Sequence, residues 1–249
     1  MEDTDAKWEI LGKNEPYWAV LTSDDFNQLN LTENTLEKFF QTGDEYVADI
    51  LQIIHQHLDA CFKPDRVCDF GCGVGRLVLP FAHYSREVVG IDISESMLNE
   101  CEKNLNSRGI NNCQLITSDD NLASLTGSFN LIHSFITFQH IPVRRGMDII
   151  NKLLSHLEDT GILVLHVKYS PNTGWFRLFK KIIKLILIEL HVYKPIMQMN
   201  SYPLNDLFWL LQNKSLNQCY IRFSAHESSQ LGMIIFAQKN NAISHPQNF

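Results

Sequence analysis

Residues 67–76 read V-C-D-F-G-C-G-V-G-R. An acidic residue stands two positions before the first of three glycines at alternate positions, and Arg66 and a short apolar run open the stretch. Glycine lets a backbone turn sharply and approach a partner without a Cβ in the way. Pro64 and Asp65 stop whatever precedes, so Arg66–Phe70 reads as a short buried strand and the glycines as the loop that leaves it.

Working outward, the segment Thr35–Phe62 has helical apolar spacing, with Gly43 a candidate break and Asp44 a cap for a second helix. After the loop, Gly75–Tyr84 reads as a helix and E-V-V-G-I-D (87–92) as the next strand. Ser94 is an N-cap for a helix over Glu95–Ser107 that Gly109 ends. Cys113–Thr117 and Phe129–Phe135 read as strands, Pro142 opens a helix to about Leu157, and Gly161–Val167 is the fifth strand. Strands of nearly continuous apolar residues alternating with helices mean a parallel sheet covered on both faces. Ligands of such sheets bind beyond the carboxyl ends of the strands, where the glycine loop lies. Beyond the fifth strand come an insertion over Tyr169–Asn200, a helix over Pro203–Leu211 and two strands, Tyr220–Ser224 and Met233–Gln238, read as a closing hairpin.

The chain has 249 residues, of which 45% are hydrophobic and 20% charged, and this suffices for one substantial core. A formal charge of −7 disfavours a nucleic-acid partner. The opening M-E-D-T-D-A-K-W-E-I is acidic and lacks an apolar core segment, so no secretory signal is expected and the expected location is cytoplasmic. The six cysteines show no C-x-x-C pairing, so free thiols are expected and no metal set is.

Two cofactor classes compete for the loop. A dinucleotide fingerprint wants G-x-G-x-x-G, yet Arg76 occupies the position of its third glycine and Gly75 precedes it. The pattern is instead D-x-G-x-G-x-G, and in it the chain resembles the class I S-adenosylmethionine-dependent methyltransferases over Arg66–Val167. The resemblance implies a Rossmann-like, doubly wound α/β fold with a seven-stranded, mostly parallel sheet and an antiparallel last strand. It implies that Gly71, Gly73 and Gly75 pass beneath the cofactor, with Phe70 and Arg76 beside them, and that Asp69 meets the cofactor's amino group. Asp92, at the end of the second strand, would accept from both ribose hydroxyls, since a carboxylate has two oxygens for two vicinal donors; Ile93 and Met97 follow it. A dinucleotide protein would place an acid there too. Asp119 or Asp120, at the end of the third strand, would face the adenine amino group, the spacing favouring Asp119. Ser134, Phe135, Phe138, Gln139 and His140, in S-F-I-T-F-Q-H-I-P, would border the sulfonium and the methyl acceptor.

The domain reading is an N-terminal helical lid over 1–62, a core over 63–240 with a helical insertion at 170–200, and a tail at 241–249. Tyr17, Trp18 and Tyr46 suit the lid. Methyl transfer from a sulfonium needs alignment more than a catalytic group; if a base is used, His140 is the candidate by position. The expected acceptor is a small molecule with an oxygen or nitrogen nucleophile, such as a sugar, lipid or secondary metabolite. A protein methyltransferase and an inactive cofactor-binding scaffold are the alternatives. No N-P-P-Y or D-P-P-Y follows the fourth strand, so a nucleic-acid base is not expected. Residues 175–193 carry Arg177, Lys180, Lys181 and Lys184 among apolar residues. This stretch reads as an active-site cover, a dimer surface, or an interfacial helix giving peripheral contact with a membrane or lipid.

Overall fold

The computed structural model describes residues 4–169, 197, 199–226 and 230–240. The reading of 175–193 as a cover, dimer surface or membrane helix lies outside the described residues, as does the tail.

Strands β1 (Arg66–Phe70), β2 (Glu87–Asp92), β3 (Cys113–Thr117), β4 (Phe129–Ser134), β5 (Leu157–Tyr169), β6 (Leu216–His226) and β7 (Gln230–Lys239) form one sheet, ordered β3-β2-β1-β4-β5-β7-β6. The first five run parallel, and β7 lies antiparallel between β5 and β6, so six strands share one direction. Order reverses between β1 and β4, which places the switch point at the glycine loop.

Alternation along the strands separates two cores. Val67, Val88, Leu131 and Val164 face α3 (Glu33–His57), α4 (Val78–Tyr84) and α5 (Glu95–Ser107). Cys68, Val89, Ile132 and Leu163 face α6 (Val143–Ser155) and α7 (Leu204–Asn213). The helix starts follow local chemistry. The Thr32 hydroxyl accepts from the Thr35 amide, and the Thr35 hydroxyl accepts from the Thr32 amide at 2.7 Å, a reciprocal cap that starts α3 at Glu33. The Ser94 hydroxyl caps α5 at the Met97 amide, and Gly109, at φ +66°, lets the chain leave it.

The expected break at Gly43 is corrected. Helix α3 runs through it unbroken, and the residue is glycine because a Cβ there would overlap the carbonyl of Arg76. The glycine lets α3 press against the end of the glycine loop. Ahead of α3 lie two short helices, α1 (Thr4–Asn14) and α2 (Pro16–Val20). The six cysteines are free thiols. Among the described residues no helix is long and apolar enough to cross a membrane.

Candidate active site

A cavity of about 840 Å³, counting its mouth, opens at the carboxyl ends of β1, β2 and β4 beneath α1 and α2. Its floor is the glycine loop. The amides of Gly71 and Cys72 both donate to the Ile91 carbonyl, at 2.7 and 3.0 Å, and so tie the loop to β2. Gly71 sits at φ +80° with the Thr137 side chain where a Cβ would be, so geometry and space both require glycine.

Asp92 joins the loop to the next strand. The Gly73 amide donates to one carboxylate oxygen at 2.8 Å and the Ser94 amide to the other at 2.9 Å. Each oxygen keeps a further lone pair, and the residue lines the cavity. Burial lifts this carboxyl to about 6, against the Ser94 and Gly73 amide bonds that favour the ionised form.

Of the other residues singled out by the sequence, Phe70, Ile93, Met97, Phe135 and His140 also line the cavity. Several do not. Gly75 faces α5, where a Cβ would stand 2.6 Å from the Cys101 sulfur. Asp119 is exposed and turned back on its own loop, accepting from the amides of Asn121 and Ala123 at 2.6 and 3.3 Å; Ser118 takes the wall position instead. Asp120 pairs with Arg145 at 2.7 Å. Ser134 is buried and donates to the Phe70 carbonyl at 2.8 Å, so it braces β4 against β1. Phe138 is wholly buried and stacks on Phe70. The Gln139 side chain meets His140 Nε2 at 3.1 Å. An amide nitrogen only donates, so His140 Nε2 accepts, and a neutral ring carries its proton on Nδ1.

Asp69 and Arg76 are buried on the α3 side of the loop and are not on the cavity wall. Asp69 is bonded to His133 Nδ1 at 2.7 Å. Arg76 bonds the Thr42 hydroxyl at 3.3 Å, and among the described residues nothing accepts from its Nε.

The expected N-terminal segment does lie over the cavity, but through other residues than those singled out. Tyr17 is core, bonded to Glu100 and Asn104, while Trp8 of α1 and Val20 of α2 cover the cavity. The Trp8 ring meets His140 edge-on at 5.0 Å. Glu9 clasps α1 to the start of α5, accepting from the hydroxyls of Ser96 and Ser94 at 2.6 and 2.8 Å. The Ser96 hydroxyl bond is the main reason its carboxyl is lowered to about 2. Arg145 bridges Asp5 of α1 and Asp120. Beyond β4, Ile136 holds φ +61°, an outlier for a β-branched residue, on the cavity wall.

Residues 67–161 match the model of a methyltransferase domain family. The chain is 30% identical over 116 residues to magnesium-protoporphyrin O-methyltransferase of Synechocystis, a match covering 47% of this chain and 49% of that protein. It is 28% identical over 116 residues to the 23S rRNA (uracil(1939)-C(5))-methyltransferase RlmD of Burkholderia thailandensis, covering 45% of this chain and 25% of the relative. The matched stretch thus spans half or less of these curated relatives. In fold, the chain is similar to the crystal structure of magnesium protoporphyrin IX methyltransferase from Synechocystis with bound SAH. That superposition has a TM-score of 0.64 at 21% identity and covers 95% of this chain and 98% of the other. With a parallel sheet that reverses order at a D-x-G-x-G-x-G loop and a domain model matching across it, residues 67–161 form a methyltransferase domain, and the fold is that of the S-adenosylmethionine-dependent methyltransferases.

Proposed function

We propose that this protein transfers a methyl group from S-adenosylmethionine to an oxygen or nitrogen of a small-molecule acceptor. The observation that carries the reading is Asp92: a carboxylate tied by one backbone amide on each oxygen to the loop and to α5, with its remaining lone pairs on a cavity wall. Two vicinal ribose hydroxyls are the donors such a group accepts. The loop fits a ligand laid against it, because Gly73 leaves no Cβ between the floor and Val20 of the roof.

On this reading Ile93, Met97 and Ser118 surround the adenosine end, and Phe135 and Thr137 lie toward the sulfonium. The cofactor supplies an already activated methyl group. The chain's part is to align it and to keep water out, which the roof of Trp8 and Val20 supports. His140 is the base where one is needed; its Nε2 is covered by the Gln139 amide, which must swing aside first. The acidic total and the apolar wall of Trp8, Phe135 and Ile141 favour a small, partly apolar acceptor over RNA.

The test is transfer of isotopically labelled methyl from the cofactor to a panel of acids, phenols, amines, sugars and porphyrins, with RNA and protein fractions as controls. Label appearing in a small molecule supports the reading. Label appearing only in RNA or protein overturns the acceptor class, and bound cofactor with no transfer to any of them favours the inactive scaffold.

A further inference from the structure

Helix α5 buries Met97, Leu98, Cys101 and Leu105 at helical spacing, and Asn104 sits in that same stripe, 5% exposed. A leucine would fill the position without the cost of burying an amide, and that cost is offset only because both ends of the amide find partners. Asn104 Nδ2 donates to the Val74 carbonyl at 3.0 Å. A carbonyl oxygen only accepts, so the orientation of the amide is fixed and Oδ1 turns the other way. There the Tyr17 hydroxyl lies 3.1 Å from it, and the same hydroxyl is 2.8 Å from a Glu100 carboxylate oxygen. An ionised carboxylate and an amide oxygen only accept, so the single hydroxyl proton lies between them. Lys103 draws on the other Glu100 oxygen at 2.8 Å.

These two contacts of Asn104 reach opposite walls of the cavity. Val74 stands between Gly73 and Gly75, so the amide holds the floor from behind. On the β2 side the same loop is held by the Ile91 carbonyl and by Asp92. Tyr17 is the second residue of α2, with its ring buried edge-on against Phe39 at 5.2 Å. Val20 follows three residues later, close to Tyr17 on the helix surface, and lines the cavity. Floor and roof are near each other here: a Cβ on Gly73 would stand 2.9 Å from Val20 Cγ2. One side chain is thus bonded to the element on each side of that gap.

We propose that Asn104 is a positioning residue of the cofactor site: by joining the Val74 carbonyl to the Tyr17 hydroxyl, it sets the gap between Gly73 and Val20. It acts on the ligand through these two walls. The proposal rests on the reading of the cavity as an S-adenosylmethionine site.

Calorimetry with S-adenosylhomocysteine on the full-length protein, paired with urea unfolding of the same samples, tests it. Asn104→Leu removes both bonds and is expected to weaken the ligand about tenfold in protein that is folded without denaturant. Tyr17→Phe keeps the ring and removes the roof bond, and a loss of about threefold is expected. Both changes break one clasp, so the double variant is expected to bind about as Asn104→Leu does, whereas independent effects would multiply to about thirtyfold. Leu105→Ala, a core truncation on the same helix, separates positioning from stability: its urea midpoint is expected to fall while affinity stays within about twofold. A folded Asn104→Leu that binds like wild type would overturn the proposal. So would losses that multiply in the double variant, or a loss in Leu105→Ala as large as in Asn104→Leu. Unchanged binding in Tyr17→Phe also overturns it, which keeps the test decisive if Asn104→Leu does not fold. Wild-type protein that binds no S-adenosylhomocysteine sinks the cofactor reading and this proposal with it; wild-type binding that these variants leave alone sinks the proposal only.

Discussion

The ends of β1 and β2 lie side by side, and each carries an aspartate. Asp69 is still inside the ladder, opposite Gly90 on one side and His133 on the other, and α3 closes over it. Asp92 is the last residue of its strand, at the rim where the glycine loop arches across. Two residues of one type on adjacent strands therefore do different work. The inner one is held by a histidine; the rim one keeps lone pairs on the cavity wall. What separates them is position along the strand relative to the covering helix.

Removing each aspartate is the most direct way to break that contrast. Asp69→Ala leaves the buried Arg76 without the carboxylate that offsets its charge and His133 without its acceptor, and is expected to cost about 3–5 kcal/mol of stability in urea unfolding. Asp92→Ala is expected to weaken cofactor binding by about 2–4 kcal/mol while unfolding shifts much less. If Asp92→Ala unfolds the protein as readily as Asp69→Ala, both are structural and the contrast fails.

The pH dependence sharpens it. With the Asp92 carboxyl lifted to about 6, the form that accepts from two hydroxyls is lost as pH falls below that value. Cofactor affinity is expected to drop about tenfold between pH 7 and pH 5, and Asp92→Asn to flatten the profile. Folding responds with the opposite sign. The folded state holds this proton more tightly than the unfolded chain, so the contribution of Asp92 to stability is largest below the ordinary carboxylate range and is lost as pH rises through about 6. Denaturant titrations of wild type and Asp92→Asn across this window test it; parallel curves would mean the carboxyl is not lifted.

The smallest expected effect is at the roof. Glu9→Gln is expected to loosen α1 by about 0.5–1 kcal/mol, read as faster tryptic cleavage at Lys7 and Lys13. Because the Glu9 carboxyl is lowered, its clasp is fully present above the ordinary range and fades as pH falls toward about 2. Unchanged cleavage would show that the Asp5–Arg145 pair alone holds the helix.

Much of this architecture is written in local pattern. The apolar runs of β1, β2 and β4, the Ser94 cap and the terminal hairpin each announce themselves within a few residues, because strand alternation and capping are short-range effects. Helix α1 does not. Its only buried residue is Gly12, and it is held by Glu9 and Asp5 through partners more than 80 residues away, so no periodicity marks it. Gly43 misleads for a related reason: a glycine in a helix reads as a break unless the neighbouring carbonyl of Arg76 is known.

By itself, then, the sequence determined the order of elements, the glycine loop and the acids at the strand ends, since these depend on residue type and spacing. Only the tertiary structure decided which of those acids faces the cavity. Asp119 stands at the expected spacing, yet it caps its own turn, and Ser118 takes the wall. Asp69 stands in the expected motif, yet the register of β1 on β4 sets it against His133. Side-chain direction is fixed by cross-strand and helix partners far away in the chain, and spacing along a single chain carries no record of them.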